Sequence, residues 1–139
     1  MVIETEALKT GKTLELQAPP LHIEVDAERR YLHRVVQNLM GNAVRYCDNR
    51  VVVSGGLDEF GNAYVCVEDD GPGIPPEQRN KIFDAFHRLD PSRDRATGGF
   101  GLGLAIVRGI MQAHQGSAAV EASSLGGASF ICRWPHTEH

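Results

Sequence analysis

Apolar residues recur along this chain with two different periods. Over residues 27 to about 46, and again over 102–114, they return every three or four positions, which predicts two amphipathic helices. Alternating or β-branched runs at 13–17, 22–25, 51–54, 63–69, 118–122 and 128–134 predict strands. Residues 76–83 are expected to form a short helix, and 87–99 a polar surface loop.

Turn-forming residues indicate how these elements are joined. Asp26 is expected to cap the first long helix, and Gly116 to end the second one as its C′ residue. Gly55-Gly56 and Gly61-Asn62 are expected to form the turn that separates the two strands of a hairpin. The order of elements predicts a mixed sheet with helices layered on one face.

The bulk composition narrows the class of protein. At 139 residues with 42% hydrophobic content, the chain is expected to form one domain, 1–139, with a core over about 11–134. Fourteen basic and eighteen acidic residues give a formal charge of -4, so no nucleic-acid partner is expected. No run approaches the roughly 18 apolar residues of a membrane helix, so the domain itself is not expected to span a membrane.

The three cysteines, Cys47, Cys66 and Cys132, are widely separated and form no C-x-x-C pair. Their spacing favours neither a disulfide framework nor a zinc site, and it fits a reducing cytoplasm. Cys66, Cys132 and Trp134 are expected to be core residues of strands, while His33 and His114 are expected to be helix-surface or packing residues.

The first long helix carries a polar stripe beside its apolar face. At about 100° per residue, Arg34, Asn38, Asn42 and Arg45 span roughly 80° of the helix surface. Asn38 and Asn42 are four residues apart, so two amide oxygens could converge on a hard cation such as Mg²⁺. The alternative is that both are ordinary surface or capping asparagines.

The strand at 63–69 leads directly into the sequence DDGPGI. Asp69 stands at the strand end, where a carboxylate can accept a hydrogen bond from the exocyclic amine of adenine. Gly71 and Gly73 would let the backbone approach a ligand closely. Taken alone, the motif could equally be a turn that closes a hairpin.

The sequence GGFGLGL stands immediately before the second long helix, where backbone N–H groups meet the positive end of a helix dipole. This arrangement favours a phosphate ligand, although glycines that only permit tight helix packing are the alternative. The loop is neither a P-loop nor a Rossmann fingerprint, because the glycine spacing of both motifs fails here.

Together these motifs resemble the catalytic and ATP-binding domain of bacterial sensor histidine kinases, which belongs to the Bergerat-fold ATPase and kinase superfamily. RVVQNLMGNAVRY is similar to its N box, DDGPGI to its G1 box, KIFDAFHR to its F box and GGFGLGLAIV to its G2 box. GGASF is similar to its last glycine-bearing strand. The resemblance implies an α/β (α+β) sandwich with a mixed, mostly antiparallel sheet, about three helices on one face and a flexible ATP lid.

The resemblance also implies roles for individual residues. Asn42 and Asn38 would hold Mg²⁺ and the phosphates, and with Arg45 they form the expected catalytic set. Asp69 would read adenine, and Phe83 and Phe86 would stand at the base of the lid. The residues expected to bind Mg-ATP are Asn38, Asn42, Arg45, Tyr46, Asp69, Gly71, Gly73, Ile74, Phe83, Arg88, Gly99, Gly101, Leu102 and Gly103.

The sequence departs from the family pattern in two places. Many members carry a small hydroxyl residue where Phe100 stands, so a side-chain hydrogen bond from that position to phosphate is missing. None of the six histidines has the context of the family's phosphoacceptor box. We therefore expect a fragment of a longer kinase, or an acceptor on another protein, and no autophosphorylation by this chain alone.

The expected function is to bind Mg-ATP and to donate its γ-phosphoryl group to a histidine on a separate dimerisation domain, in two-component signal transduction. The expected partners are that histidine-phosphotransfer domain of a parent kinase and, indirectly, a response regulator. The parent would be a homodimeric sensor of the inner membrane, with this domain in the cytoplasm. Asn38 stands where related ATPases such as gyrase have a glutamate base, so ATP hydrolysis is expected to be slow.

Two alternatives share the same fold. One is a free-standing anti-sigma-factor-type serine kinase, which usually has a glutamate in its N box. The other is a non-catalytic nucleotide-sensing module, which would keep Asp69 without needing Asn42.

Overall fold

The computed structural model describes the backbone of residues 13–17 and, with side chains apart from that of Arg29, residues 29–85 and 103–135. The predicted strand at 22–25, the Asp26 cap and the loop at 87–99 lie outside these ranges. The elements are β1 (Thr13–Gln17), α1 (Arg29–Tyr46), β2 (Arg50–Leu57), β3 (Ala63–Asp69), two 3₁₀ turns (Pro76–Gln78 and Lys81–Phe83), α2 (Gly103–Ala113), β4 (Ser117–Ala122) and β5 (Ala128–Trp134).

The five strands form one sheet in the order β1-β2-β3-β5-β4. β1 is parallel to β2, whereas the β2–β3, β3–β5 and β4–β5 pairs are antiparallel. The predicted mixed, mostly antiparallel sheet is therefore confirmed. Because β5 lies between β3 and β4, the start of β5 adjoins the end of β3, where Asp69 stands.

The core lies between one face of the sheet and the two helices. Val35 and Leu39 of α1 and Val107 and Met111 of α2 are fully buried, as the helical period predicts. Their sheet neighbours in the same cluster are Val51, Val67, Val120, Ala128, Phe130, Cys132 and Trp134. The prediction of helices on one face is confirmed. Among the residues described, no helix is both long and apolar enough to cross a membrane.

The helices α1 and α2 run antiparallel to each other. Asn38 lies beside Gly103 at the start of α2, and the Tyr31 ring lies 5.8 Å from the His114 ring beyond its end. His114 is thus a packing residue and His33 is exposed, as expected. The antiparallel arrangement carries the polar stripe of α1 to the N-terminus of α2.

The prediction that Gly55 and Gly56 form the hairpin turn is wrong, because β2 continues through both of them to Leu57. A β-carbon on Gly56 would lie 3.3 Å from the Tyr64 hydroxyl, so the aromatic side chain covers a glycine within the sheet. The turn lies at 58–62, where one Asp58 carboxylate oxygen accepts the N–H groups of Phe60 and Asn62, both at 2.9 Å.

The prediction that Gly116 is the C′ residue of α2 is also wrong. Gln115 takes the left-handed conformation (φ 61°), and Gly116 follows it. The Gln115 N–H donates to Gln112 and the Gly116 N–H to Met111, which is the Schellman pattern of helix termination. Gly116 is required for space instead, because a β-carbon there would overlap the Arg133 carbonyl of β5.

The predicted short helix at 76–83 is two 3₁₀ turns, separated at Arg79 and Asn80. The Arg79 Nε donates to the Ile74 carbonyl at 3.2 Å, which holds this segment close to the end of β3.

Candidate functional site

Asp69, the last residue of β3, is the centre of the site. Its side chain is almost fully buried, with 2% of its surface exposed. The Oδ1 atom accepts hydrogen bonds from the Gly71 N–H at 2.9 Å and from the Ala128 N–H at 3.2 Å. Within the described ranges, Oδ2 accepts no hydrogen bond. One oxygen is fixed by described residues, and the other is open to a further hydrogen-bond donor.

The electrostatics of Asp69 agree with that geometry. Burial raises the pKa of this carboxyl, and the nearby charges of Asp70 and Asp48 raise it further, against the two backbone hydrogen bonds that lower it. The net shift is upward. The two backbone hydrogen bonds do not fully offset the cost of burying the negative charge of Asp69. Such a carboxylate favours a ligand that supplies a further hydrogen-bond donor.

Three glycines permit this arrangement. A β-carbon on Gly71 would overlap the Tyr46 carbonyl at the end of α1. A β-carbon on Gly127 would overlap Asp69 Oδ1 and would lie 2.6 Å from the Gly71 nitrogen. Gly73 takes a left-handed φ of 76°. The end of α1, the DDGPG segment and the β4–β5 turn can therefore meet closely around Asp69.

Asp70, unlike Asp69, has its carboxylate occupied by backbone N–H groups of the segment after α1. Its Oδ1 atom accepts the backbone N–H groups of Asp48, at 2.9 Å, and of Asn49 and Arg50, both at 3.0 Å. Partial burial opposes ionisation of Asp70, but these hydrogen bonds outweigh it and the pKa is lowered. Asp70 thus ties the segment after α1 to the end of β3.

The polar stripe of α1 lies at the edge of the core. Asn38, Asn42 and Arg45 are half-buried, and Arg34 is exposed. A β-carbon on Gly103 would lie 3.6 Å from Asn38 Oδ1, so this amide stands next to the first residue of α2. In the described part of the chain neither asparagine side chain forms a hydrogen bond, which leaves both amide oxygens available to a ligand.

Ile74 and Phe83 form the apolar side of this region. Phe83 is buried and meets the Phe130 ring edge-on, with 6.2 Å between centroids, while Ile74 packs against the core. Gly103 is helical rather than left-handed, so its importance cannot come from a positive φ. The other expected ligand-binding residues, with Phe86 and Phe100, lie outside the described residues: Arg88, Gly99, Gly101 and Leu102.

Sequence reasoning missed the contribution of the β4–β5 turn. The Gly127 N–H donates to the Asp69 carbonyl at 3.1 Å, while the next residue, Ala128, binds the Asp69 side chain. The Ser123 hydroxyl donates to Glu68 Oε2 at 2.6 Å and fastens the same turn to β3. The only signal in the sequence was the GGASF segment, which carries both Gly127 and Ala128.

Comparison with known sequences decides the family. The sequence model for "Histidine kinase-, DNA gyrase B-, and HSP90-like ATPase" matches residues 27–138. The chain belongs to this ATPase family. ATP binding comes with membership, and the predicted recognition of a sensor histidine kinase-type domain is confirmed by the relatives.

Among the relatives of this ATPase domain are two sensors from Escherichia coli K12. The chain is 47% identical to the sensor protein RstB over 133 residues and 39% identical to the sensor histidine kinase CpxA over 130 residues. These matches take in 95% and 94% of this chain but only 30% and 28% of the relatives. The chain thus spans less than a third of the length of either sensor.

Solved structures of histidine kinases share the fold. Full-length ShkA in complex with AMPPNP superposes with a TM-score of 0.81 at 29% identity, over 96% of this chain and 27% of that one. The nucleotide-free catalytic domain of ThkA superposes with a TM-score of 0.80 at 28% identity, over 99% of this chain and 88% of that one. The predicted Bergerat fold is confirmed, and the chain is an ATPase domain of the histidine kinase type.

Proposed function

We propose that this domain binds Mg-ATP at the Asp69 end of the sheet and donates the γ-phosphoryl group to a histidine on a separate dimerisation domain. The observation that carries the proposal is the divided role of the Asp69 carboxylate: Oδ1 is held by two backbone N–H groups, and Oδ2 is left as an acceptor. The adenine amine is the donor that this oxygen would take, whereas guanine presents a carbonyl acceptor at the same position.

The side chains of α1 fit the charged end of the nucleotide. Asn38 and Asn42 offer neutral amide oxygens, the hard ligands that Mg²⁺ accepts together with phosphate oxygens and water. Among the described residues, no cluster of three His, Cys, Asp or Glu side chains competes for a metal. Mg²⁺ at this pair would neutralise charge on the phosphates. Arg45 adds a cation on the same stripe of the helix.

Phosphoryl transfer needs mainly positioning and charge neutralisation from the protein. An N–P bond forms to a neutral imidazole nitrogen of the acceptor, the bond from the γ-phosphorus to the bridging oxygen breaks, and ADP leaves with the electron pair. Asn38 cannot accept a proton from water as a glutamate would, which favours transfer to histidine over hydrolysis.

The similarity to RstB, CpxA and ShkA supports the finer parts of this proposal. A parent sensor would supply the dimerisation domain and pass the phosphoryl group to a response regulator, with this domain on the cytoplasmic side of the inner membrane. The names of the relatives favour a histidine kinase over a serine kinase or a nucleotide-sensing module.

A transfer assay tests the function. The chain is mixed with Mg-ATP radiolabelled on its γ-phosphate and with the dimerisation domain of RstB. We expect label on that domain that is labile in acid and stable in base, as phosphohistidine is. Asn42→Ala should abolish the label, and the exposed helix variant Gly109→Ala should retain it. Acid-stable label would identify a serine kinase, and binding without any label would leave the nucleotide-sensing module.

The Asp69→Asn substitution tests the nucleotide site itself. Charge-assisted hydrogen bonds contribute roughly 1.5–3 kcal/mol, so calorimetric titration should show ATP binding weakened about 10- to 150-fold. Because the folded pKa of Asp69 is raised, its contribution to stability is present below the unfolded value of about 3.9 and is lost as the pH rises through the folded pKa. At pH 7 the empty variant should therefore melt no lower than the wild type. Unchanged ATP affinity would remove Asp69 from the site.

A further inference from the structure

A single side chain joins helix α2 to the second 3₁₀ turn. Arg108 Nη2 lies 2.6 Å from Asp84 Oδ1, and the guanidinium carbon lies 5.8 Å from the centroid of the Phe83 ring. Phe83 is buried against Phe130. Arg108 is therefore fastened to a turn that is itself anchored in the core.

Such a link contributes little to global stability. The side chains of Arg108 and Asp84 are 34% and 60% exposed, and ion pairs at such surface positions are screened by solvent. The buried residues of α2 are Val107 and Met111, which hold the helix against the sheet along one stripe. Arg108 is one residue after Val107 and therefore lies about 100° around the helix from it, beside the buried stripe. From that position its ion pair limits the movement of α2 relative to the 3₁₀ turn.

The position of α2 matters because of what stands at its N-terminus. Gly103, the first residue of the helix, lies against Asn38, and Arg108 is five residues further along, about 7.5 Å up the axis. A shift of the helix at Arg108 would move its N–H groups relative to the Asn38 amide. Those N–H groups and that amide form the phosphate end of the proposed site.

We infer that Arg108 is a positioning residue for the phosphate end of the nucleotide site, acting through Asp84 and Phe83. The inference rests on the proposed function, since it assigns Arg108 to that site. Asp69 and its partners, which form the proposed adenine end, share no hydrogen bond or ion pair with Arg108 or Asp84 among the described residues. Loss of Arg108 should therefore lower the affinity for ligands that carry phosphates and leave the affinity for adenosine unchanged. A general structural defect would lower the affinity for adenosine as well.

The experiment compares two ligands on the full chain. Mg-AMPPNP is titrated by calorimetry, and adenosine by protein NMR shifts into the millimolar range. Arg108→Gln should weaken Mg-AMPPNP about 5-fold and change adenosine affinity less than about 2-fold. Asp84→Asn should do the same from the other side of the pair, and Arg108→Lys should recover most of the loss.

Arg133→Gln is the matched control, because Arg133 pairs with Asp58 at 3.7 Å, is 40% exposed and lies at the opposite end of the sheet. It should leave both affinities unchanged. The inference would be overturned if Arg108→Gln and Asp84→Asn lost affinity equally for both ligands, or lost no affinity for either. In that case the nucleotide site of the proposed function would still stand, provided that the wild-type chain binds Mg-AMPPNP. A wild-type chain that binds no Mg-AMPPNP would overturn both.

Discussion

Asp69 and Asp70 are adjacent in the sequence, but their carboxylates lie in different surroundings and their pKa values shift in opposite directions. Asp69 points into the protein, keeps one oxygen unused by the described residues and has a raised pKa, whereas Asp70 accepts three consecutive backbone N–H groups and has a lowered pKa. Alternation along the strand explains the difference, since neighbouring side chains leave a strand in opposite directions. One aspartate can therefore serve a ligand while the other holds the chain.

Replacement of Asp70 should make stability less dependent on pH. Its lowered pKa means that its contribution is present above the unfolded value of about 3.9 and disappears as the pH falls through the folded value. Asp70→Asn should therefore cost about 1 kcal/mol at pH 7 and progressively less in acid, as measured by urea unfolding. The exposed strand residue Glu121 provides the control, and an equal loss in Glu121→Gln would contradict the assignment.

Gly127 should be intolerant of even one methyl group. A β-carbon there would overlap Asp69 Oδ1, so Gly127→Ala should cost about 1–3 kcal/mol of unfolding free energy. It should also weaken ATP binding by more than about 10-fold, because it displaces the carboxylate. Gly109→Ala is the counterpart: among the described residues, no atom outside its own helix lies within 4 Å of a β-carbon there, and alanine should stabilise this helical position by about 1 kcal/mol. Normal ATP affinity in Gly127→Ala would contradict the packing described here.

Which site residues could be predicted depended on how local their signals are. Asp69, Asn38 and Asn42 stand in short motifs whose spacing can be seen within one element. Gly127 and Ala128 act on Asp69 across 58 and 59 positions, and Arg108 acts on Asp84 across 24. Contacts of that kind exist only after strands and helices have packed, so no local pattern in one sequence contains them.

At the scale of the elements, helix α2 ends in Gln115, which has a strained backbone conformation, followed by Gly116, which has no space for a side chain. Gln115 occupies the left-handed region, which costs about 1–2 kcal/mol for a residue with a β-carbon. Gln115→Gly should therefore raise the unfolding free energy by about 1 kcal/mol. Gly116→Ala should instead destabilise the chain, because its β-carbon would overlap the Arg133 carbonyl. Thermal unfolding of both variants checks the assignment, and the reverse order of melting temperatures would show that Gly116 is the cap.

The contrast between local signals and long-range contacts also explains which elements could be predicted from the sequence. β1 begins and ends where its alternation predicts, and α1, α2 and the β4–β5 hairpin lie within two residues of their expected bounds wherever the structure describes them. β2 continues past Gly55 and Gly56 because both pair with the neighbouring strand, where the Tyr64 side chain covers Gly56 and the Tyr64 carbonyl lies close to Gly55. The position of β5 between β3 and β4 is a long-range pairing that periodicity cannot specify.

On the scale of the whole molecule, the chemistry is concentrated at one end. The end of α1, the end of β3 and the start of β5 meet at Asp69, and the start of α2 lies beside Asn38, whereas Arg133 and Trp134 lie at the other end of β5. Changes at the far end can alter stability with little effect on the ligand. That separation is the reason that Arg133 serves as a control for Arg108.

Trp134 lies at that far end and is the only tryptophan of the chain. It is six residues along β5 from Ala128, or about 20 Å from the carboxylate that would receive a nucleotide. Its indole is 98% buried, and its N–H meets no hydrogen-bond partner in the described residues. The tryptophan fluorescence should therefore shift to longer wavelength when the domain unfolds and stay unchanged when Mg-ATP is added. It would report on folding without interference from nucleotide binding.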